Sequence, residues 1–495
     1  MSLRICLIAA EAAPLAKTGG LADVAAALTK HLQQGGHDAR LFIPLYAQID
    51  LAALNLSRVD QVQDVPLQVG PHSYRYSLLR AQTPGTTTTV HLIDCPALYH
   101  RKSLYTLDPD EHLRYIVLTR AALESCQRMG WSPQIVHAHD WHTALAPLYL
   151  KSAYAWDQLF ASTRSVLTIH NIGYQGIIGA ELVGDVGLAG SEHLLHQDDL
   201  RNGKLNLLKH GVLYADAITA VSPTYAREIL TPEFGMGLEE ALQQRRDALV
   251  GILNGVDYDV WDPRVDRYLP RQFDANSLEV KHSLKMELLA RFKLKATHRT
   301  ALLGIVSRFT AQKGLELLFE SLPPVLAKRN VCLIALGNGE KRYESLFENL
   351  QQRFPQRVMY HRGYNDELAH WIEAASDIFL MPSLYEPCGL NQMYSLRYGT
   401  IPIVRRTGGL ADSVSMFEPR PGRGTGIVFN DFNTEAMSWA MNTALDLYGK
   451  PKTWARLVGN AMAEDFSWSR QGALYVDLYE RLLGSRAGAS ARNSS

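Results

Sequence analysis

Lys17-Thr18-Gly19-Gly20-Leu21-Ala22-Asp23 joins a near-continuous apolar run, Leu3–Ala9, to an amphipathic stretch, Gly20–Gln34, and its last six residues recur unchanged at Thr407–Asp412. Basic residues precede both copies, Lys17 the first and Arg405-Arg406 the second. A Gly-rich turn between a strand and a helix aims backbone N–H groups, and the positive end of the helix dipole, at an anion. Two such turns, one near each end of the chain, point to two similar halves facing one ligand. The plainer alternative is two unrelated helix starts, each with Thr as N-cap and a Leu-Ala pair on an apolar face.

Outward from the first copy, buried runs alternate with helical periodicity. Ala39–Pro44, Ile135–His139, Ser165–His170 and Ala217–Val221 read as strands, and Val65–Asp94 as a Thr-rich hairpin around Pro84-Gly85. Asp140-Trp141-His142 opens a helix expected to run through Ser152. A second series comprises Ala301–Ser307, Val331–Leu336, Val358–His361, Ile378–Met381 and Ile401–Val404, each followed by a helix. Apolar strands separated by helices predict parallel sheets covered on both faces. The predicted architecture is therefore α/β, two doubly wound Rossmann-like domains facing a cleft. Their predicted limits are 1–253 and 254–463, with Val256–Pro270 as link, then a C-terminal helix over 464–485 packing back on the first domain and a disordered tail over 486–495. In such sheets ligands sit beyond the carboxyl ends of the strands.

Bulk properties narrow the function. A chain of 495 residues exceeds what one core supports. Fifty basic and 50 acidic residues cancel, so no global field favours nucleic acid or an anionic membrane, and neither is expected as a partner. Cys6, Cys95, Cys126, Cys332 and Cys388 form no ligand or disulfide framework, which predicts a reducing, cytoplasmic compartment. No apolar run is long enough to span a bilayer, and the N-terminal run ends at Glu11, as a buried strand would rather than a signal peptide.

The residues just beyond each strand carry the candidate chemistry. Arg308 and Lys313, in Ser307–Gly314, put two cations at a strand end, where they suit a departing diphosphate; solvated surface charges are the alternative. Glu386, in Pro382–Leu390, is a carboxylate held between a strand and a Gly-led helix, either to face a sugar or to cap that helix. Cys388 has no designated base, which favours a packing role. His137, His139, Asp140 and His142 lack zinc spacing, so a polar network or substrate contact is favoured over a metal. His170 alone reads as a structural histidine. The D-x-D triplets Asp108-Pro109-Asp110 and Asp257-Tyr258-Asp259 follow no clear strand, and there is neither a full GxGxxG nor a Walker A string.

Together these strings resemble the bacterial glycogen synthase and plant starch synthase family, the ADP-glucose-dependent glucan synthases of GT-B fold. The matching stretches are Lys17–Asp23, His137–His142, Thr168–Gly176, Tyr214–Glu228, Asn254–Asp257, Ser307–Gly314, Pro382–Gly399, Arg405–Val414 and Phe466–Trp468. The resemblance implies retaining transfer of glucose from ADP-glucose to the non-reducing 4-hydroxyl of an α-1,4-glucan such as glycogen, with no metal or other cofactor. It implies that Lys17, Gly19, Gly20, Asn254, Thr407 and Gly408 bind the donor, and that Arg308 and Lys313 neutralise the leaving ADP. It places Glu386 against the transferring glucose, with Cys388, Gly389 and Leu390 lining its pocket, and Asp140, His170, Asn171 and Tyr99 around the sugar and acceptor. The catalytic set is thus Glu386, Asp140, His170, Arg308 and Lys313. Many retaining GT-B enzymes carry a second Glu eight residues after the first; Tyr394 stands there, which agrees with the glucan synthases. A nucleotide-sugar epimerase, marked by free monosaccharide release, and a binding protein without turnover are the competing readings. Oligomeric state is not legible.

Overall fold

A computed structural model of the chain describes residues 2–490. These residues divide into two units, one running to Gly255 and including the helix that starts at Trp468, the other spanning Val256–Ser467.

The first unit is built on a ten-stranded sheet. Its strands are β1 (Arg4–Ile8), β2 (Asp38–Pro44), β3 (Asn55–Arg58), β4 (Val65–Val69), β5 (His72–Gln82), β6 (Thr89–Asp94), β7 (Ile135–His139) and β8 (Arg164–Ile169). After a separate ribbon of β9 (Ile177–Gly179) and β10 (Lys204–Asn206) come β11 (Ala217–Ala220) and β12 (Leu249–Gly251). The order across the sheet is β12-β11-β8-β7-β1-β2-β6-β5-β3, with β4 paired to β5. From β12 to β6 every pairing is parallel. The remainder is antiparallel, a departure from the expected parallel sheet, because the Thr-rich hairpin extends its edge. Helix Gly20–Gln34 buries Leu21, Val24, Ala25, Leu28 and Leu32 at helical spacing and stops at Gly35. The helix expected over Asp140–Ser152 is instead two, Asp140–Thr143 and Ala146–Lys151. Pro147 explains the break, since its ring has no N–H to bond back to Thr143 and sits comfortably only in a first turn.

The second unit holds β13 (Ala301–Phe309), β14 (Val331–Gly339), β15 (Val358–Arg362), β16 (Ile378–Met381), β17 (Ile401–Arg405) and β18 (Ile427–Phe429). They are parallel throughout in the order β15-β14-β13-β16-β17-β18. Strand β18 was not anticipated; three residues are too few to show a pattern.

Each sheet reverses direction once. In the first unit the chain winds outward from β1 through β2, then returns to β7 on the other side; in the second it winds from β13 to β15, then returns to β16. Loops leaving the strands that flank a reversal diverge and open a crevice. Lys17–Asp23, Asp140, Arg308–Lys313 and Pro382–Leu390 all leave those strands.

The last helix, Trp468–Ser490, belongs with the first unit and buries Tyr475 and Tyr479 completely. It continues through residues for which the sequence predicts disorder from 486. The rest of that predicted tail, 491–495, lies outside the described residues. No helix among the described residues is long and apolar enough to cross a membrane.

Candidate active site

In the second unit, the loops after β13 and β16 are stitched together. Lys313 Nζ donates to Glu386 Oε2 at 2.6 Å, and Ser383 Oγ donates to the same oxygen at 2.9 Å. Leu384 N–H bonds the carbonyl of Gln312 at 2.9 Å, closing one loop on the other. Glu386 is 5% exposed. A carboxylate so far from water is costly unless paired and hydrogen-bonded, and Lys313 and Ser383 meet both needs. Arg308, in contrast, is exposed at the end of β13 with no side-chain bond among the described residues. Ser383 was not singled out from sequence, since a serine after a proline carries no signal of its own.

The second hexapeptide backs this loop. Helix Gly408–Ser413 starts on the glycines, with Thr407 buried before it. Gly408 has φ +43, and a Cβ there would lie 1.9 Å from the carbonyl oxygen of Glu386. A Cβ on Gly409 would lie 2.1 Å from the carbonyl oxygen of Cys388, and Gly409 N–H donates to Glu386 O at 3.1 Å. Gly408 and Gly409 therefore pack directly on the Glu386–Cys388 backbone. The flanking Arg405 is committed to the carbonyls of Leu384 and Asn430, and Arg406 to the Asn430 side chain. Cys388 is 5% exposed, while Gly389 and Leu390 are half-buried.

In the first unit, the turn at Lys17–Gly20 has an occupant of its own. The buried Glu11 carboxylate accepts from Thr18 N–H and Oγ1 at 2.5 and 2.8 Å and from Gly19 N–H at 3.3 Å, and also from the Tyr105 hydroxyl. The anion at this helix start is thus internal, where the sequence reserved it for a ligand. Glu11 was passed over because it marked only the end of an apolar run. Lys17 pairs with Asp23 at 2.8 Å and is exposed, as is Gly20.

Beyond β7 and β8, Asp140 stands at φ +57 and accepts backbone N–H bonds from His170 at 2.7 Å and Asn171 at 3.3 Å. Burial pushes its carboxyl up to about 7 despite these bonds. His139 Nδ1 and His170 Nε2 lie 2.9 Å apart, and burial lowers both, His139 to about 3, so both rings are neutral at pH 7. His137 bonds Thr168 and Tyr479, the polar network favoured by the sequence.

Two further residues of the predicted set are buried. Tyr99 is 0% exposed and gives its hydroxyl to the Arg114 carbonyl at 2.8 Å, a core position. Asn254, assigned to the donor domain, clusters with the first unit, buried, with its Oδ1 unpartnered. Asp108 and Asp110 are both held by Arg101, which accounts for that triplet. Tyr394, in the place of a second Glu, lies flat on Trp261 at 4.0 Å.

Residues 4–244 match the starch synthase catalytic domain family and residues 288–460 the glycosyl transferases group 1 family. Glycogen synthase 1 of Geobacter metallireducens is 40% identical over 494 residues, which cover 98% of this chain and 97% of that one. Glycogen synthase of Thermotoga maritima is 38% identical over 485 residues, covering 97% and 99%. The solved catalytic domain of starch synthase IV from Arabidopsis thaliana, bound to ADP and acarbose, is 34% identical with a TM-score of 0.90, over 98% of this chain and 100% of that one. A sucrose-phosphate synthase from Thermosynechococcus elongatus shares the fold, with a TM-score of 0.60 at 17% identity over 97% of this chain and 99% of that one.

Proposed function

The chain belongs to the glycogen and starch synthase family of glycosyltransferases, and from that membership we propose that it transfers glucose from ADP-glucose to the non-reducing 4-hydroxyl of an α-1,4-glucan, with retention and release of ADP. Its activity in glycogen or starch synthesis and its donor follow from the family; the residue roles are inferred from the site.

The Lys313–Glu386 pair carries the inference. An ammonium has three protons, so Lys313 can keep its bond to Glu386 and still donate to a diphosphate oxygen. Arg308 supplies a second cation from the same strand end. As the bond from the anomeric carbon to the phosphate oxygen breaks, negative charge grows on ADP beside these cations. Positive charge grows on the glucosyl ring, which Glu386 faces. The acceptor oxygen bonds the anomeric carbon on the face the phosphate leaves, and its proton passes to the departing phosphate. Charges placed in advance for both partners of this separation lower the barrier without a covalent enzyme intermediate. With Lys and Arg at the leaving group, the step calls for no metal.

Cys388, Gly389 and Leu390 line the glucosyl pocket on this reading, and Asp140, His170 and Asn171 hold sugar hydroxyls. Glu11 already takes the N–H groups of Thr18 and Gly19. The first hexapeptide therefore offers the donor Lys17 and Gly20, with close approach at Gly19. Five buried cysteines, all free thiols, suit a reducing cytoplasm.

The test is transfer of labelled glucose from ADP-glucose and, in parallel, from UDP-glucose onto glycogen in the presence of EDTA. Labelled polymer from ADP-glucose despite the chelator is the expected result. Labelling from UDP-glucose alone overturns the donor, and free glucose without polymer overturns the transfer.

A further inference from the structure

Tyr174, Ile177 and Met236 are 54%, 56% and 41% exposed, yet the backbone that carries them is braced. Gln175 Nε2 donates to the carbonyls of Ile172 and Met236, each at 3.0 Å, and its Oε1 accepts from Asn206 Nδ2 at 2.6 Å. One side chain thus ties the Tyr174 loop to the Met236 loop and to strand β10. Leu208 N–H bonds the carbonyl of Gln175 at 3.0 Å, and Leu207 N–H that of Gly176 at 3.2 Å. Ile177 then pairs with Asn206 in the β9–β10 ribbon. These apolar groups are held in water by ordered structure and are not frayed ends.

Their place along the chain suggests what they meet. Tyr174 is one turn from Asn171, whose carbonyl accepts Tyr174 N–H at 3.1 Å and whose side chain accepts Gly173 N–H at 3.0 Å. Residues 171–180 contain no charged side chain. A strip with an aromatic face, a phenolic hydroxyl and two apolar side chains fits a neutral polyol whose rings show C–H faces and hydroxyl edges. We propose that Tyr174, Ile177 and Met236 dock the distal glucose units of the α-glucan acceptor, beyond the unit that reacts near His170 and Asn171. This rests on the reading that the enzyme extends an α-glucan. The strip raises affinity for long or branched acceptors and leaves the reacting end untouched.

The test uses the full chain with Tyr174→Ala, Tyr174→Phe and Met236→Ser. Glycogen affinity is read from retardation in native gels containing glycogen, and initial rates are taken with glycogen and with maltotriose. Loss of one stacked aromatic face weakens glycogen binding by about five- to tenfold. Tyr174→Ala therefore raises the KM for glycogen by that factor with kcat unchanged, and leaves both constants for maltotriose at wild-type values. Tyr174→Phe stays near wild type, and Met236→Ser shifts in the same direction by less. Wild-type retardation of Tyr174→Ala overturns the proposal, and so does an equal loss on glycogen and maltotriose. The gel needs neither donor nor turnover, so a wild-type enzyme that binds glycogen but makes no polymer faults the proposed reaction and not the strip.

Discussion

At Thr407–Asp412 the first four residues of the repeated hexapeptide are buried, and its glycines are packed against the backbone of Glu386 and Cys388. At Thr18–Asp23 the turn is open, with Thr18 and Gly20 exposed; Gly19 is extended at φ −159, and nothing lies within 4 Å of where its Cβ would be. Both copies start a helix and both grip a glutamate. The second holds the carbonyl of Glu386, whose carboxylate is held separately by Lys313 and Ser383. The first holds the Glu11 carboxylate itself. The chain's own packing requires glycine at 408 and 409 but not at 19, where a Cβ would meet no atom of the chain.

The largest expected effect is on the glutamate that the second copy supports. Glu386→Ala lowers kcat by about a thousandfold or more, because it removes charge that matters only as the glucosyl cation forms. ADP affinity, read by calorimetry, stays near wild type. Unchanged kcat would remove Glu386 from the chemistry and make the second copy purely structural.

The glycines break the comparison directly. Gly408→Ala forces a Cβ into the Glu386 carbonyl at a left-handed φ, and is expected to cost about 3 kcal/mol or more in denaturant unfolding. Gly19→Ala stays within about 0.5 kcal/mol of wild type in the same measurement, while kcat/KM for the donor falls. If both substitutions destabilise alike, the two copies do the same job and the contrast is lost.

Most of this frame was legible. Runs such as Val331–Leu336 and Ile401–Val404 are apolar and buried on both faces because helices cover both, and that burial pattern writes strand positions into the sequence. What was not legible is what a residue meets after the chain folds back. Tyr99 carries no sequence signal that its ring is buried and that its hydroxyl satisfies the Arg114 carbonyl. Glu11 looks like the polar end of a strand until the next turn lays Thr18 and Gly19 over its carboxylate. Ser383 gains its role only because Lys313, far off in sequence, arrives at the same oxygen of Glu386. Pro147 was readable and was underweighted: its ring alone predicts the broken helix.

A smaller effect sharpens the first copy's side of the comparison. Glu11→Gln keeps the shape but gives up charge-assisted bonds to the helix start, a loss of about 2 kcal/mol in unfolding free energy. Because that charge also repels a phosphate, ADP affinity is expected to rise slightly or hold. A fall in ADP affinity without loss of stability would mean that Glu11 contacts the ligand instead of the turn.

The last effect concerns another carboxylate held by backbone N–H groups, Asp140. Its carboxyl is raised to about 7 in the folded protein, from the ordinary range near 4 in the unfolded chain. Between those values the folded state binds the extra proton, so the stability this group contributes is complete below about pH 4 and is lost as pH rises through 7. Asn tolerates the left-handed backbone at φ +57 and its side-chain oxygen can accept the same two N–H bonds, so Asp140→Asn removes the titration and little else. Subtracting the variant's stability from that of wild type cancels the neighbouring histidines, whose lowered values make stability fall in acid. The difference should decline with rising pH by at most about 1.4 kcal/mol per unit between pH 4 and 7. A difference that rises instead would mean that Asp140, like Glu11, is held as a carboxylate, and the distinction between a gripped charge and a buried acid would fall.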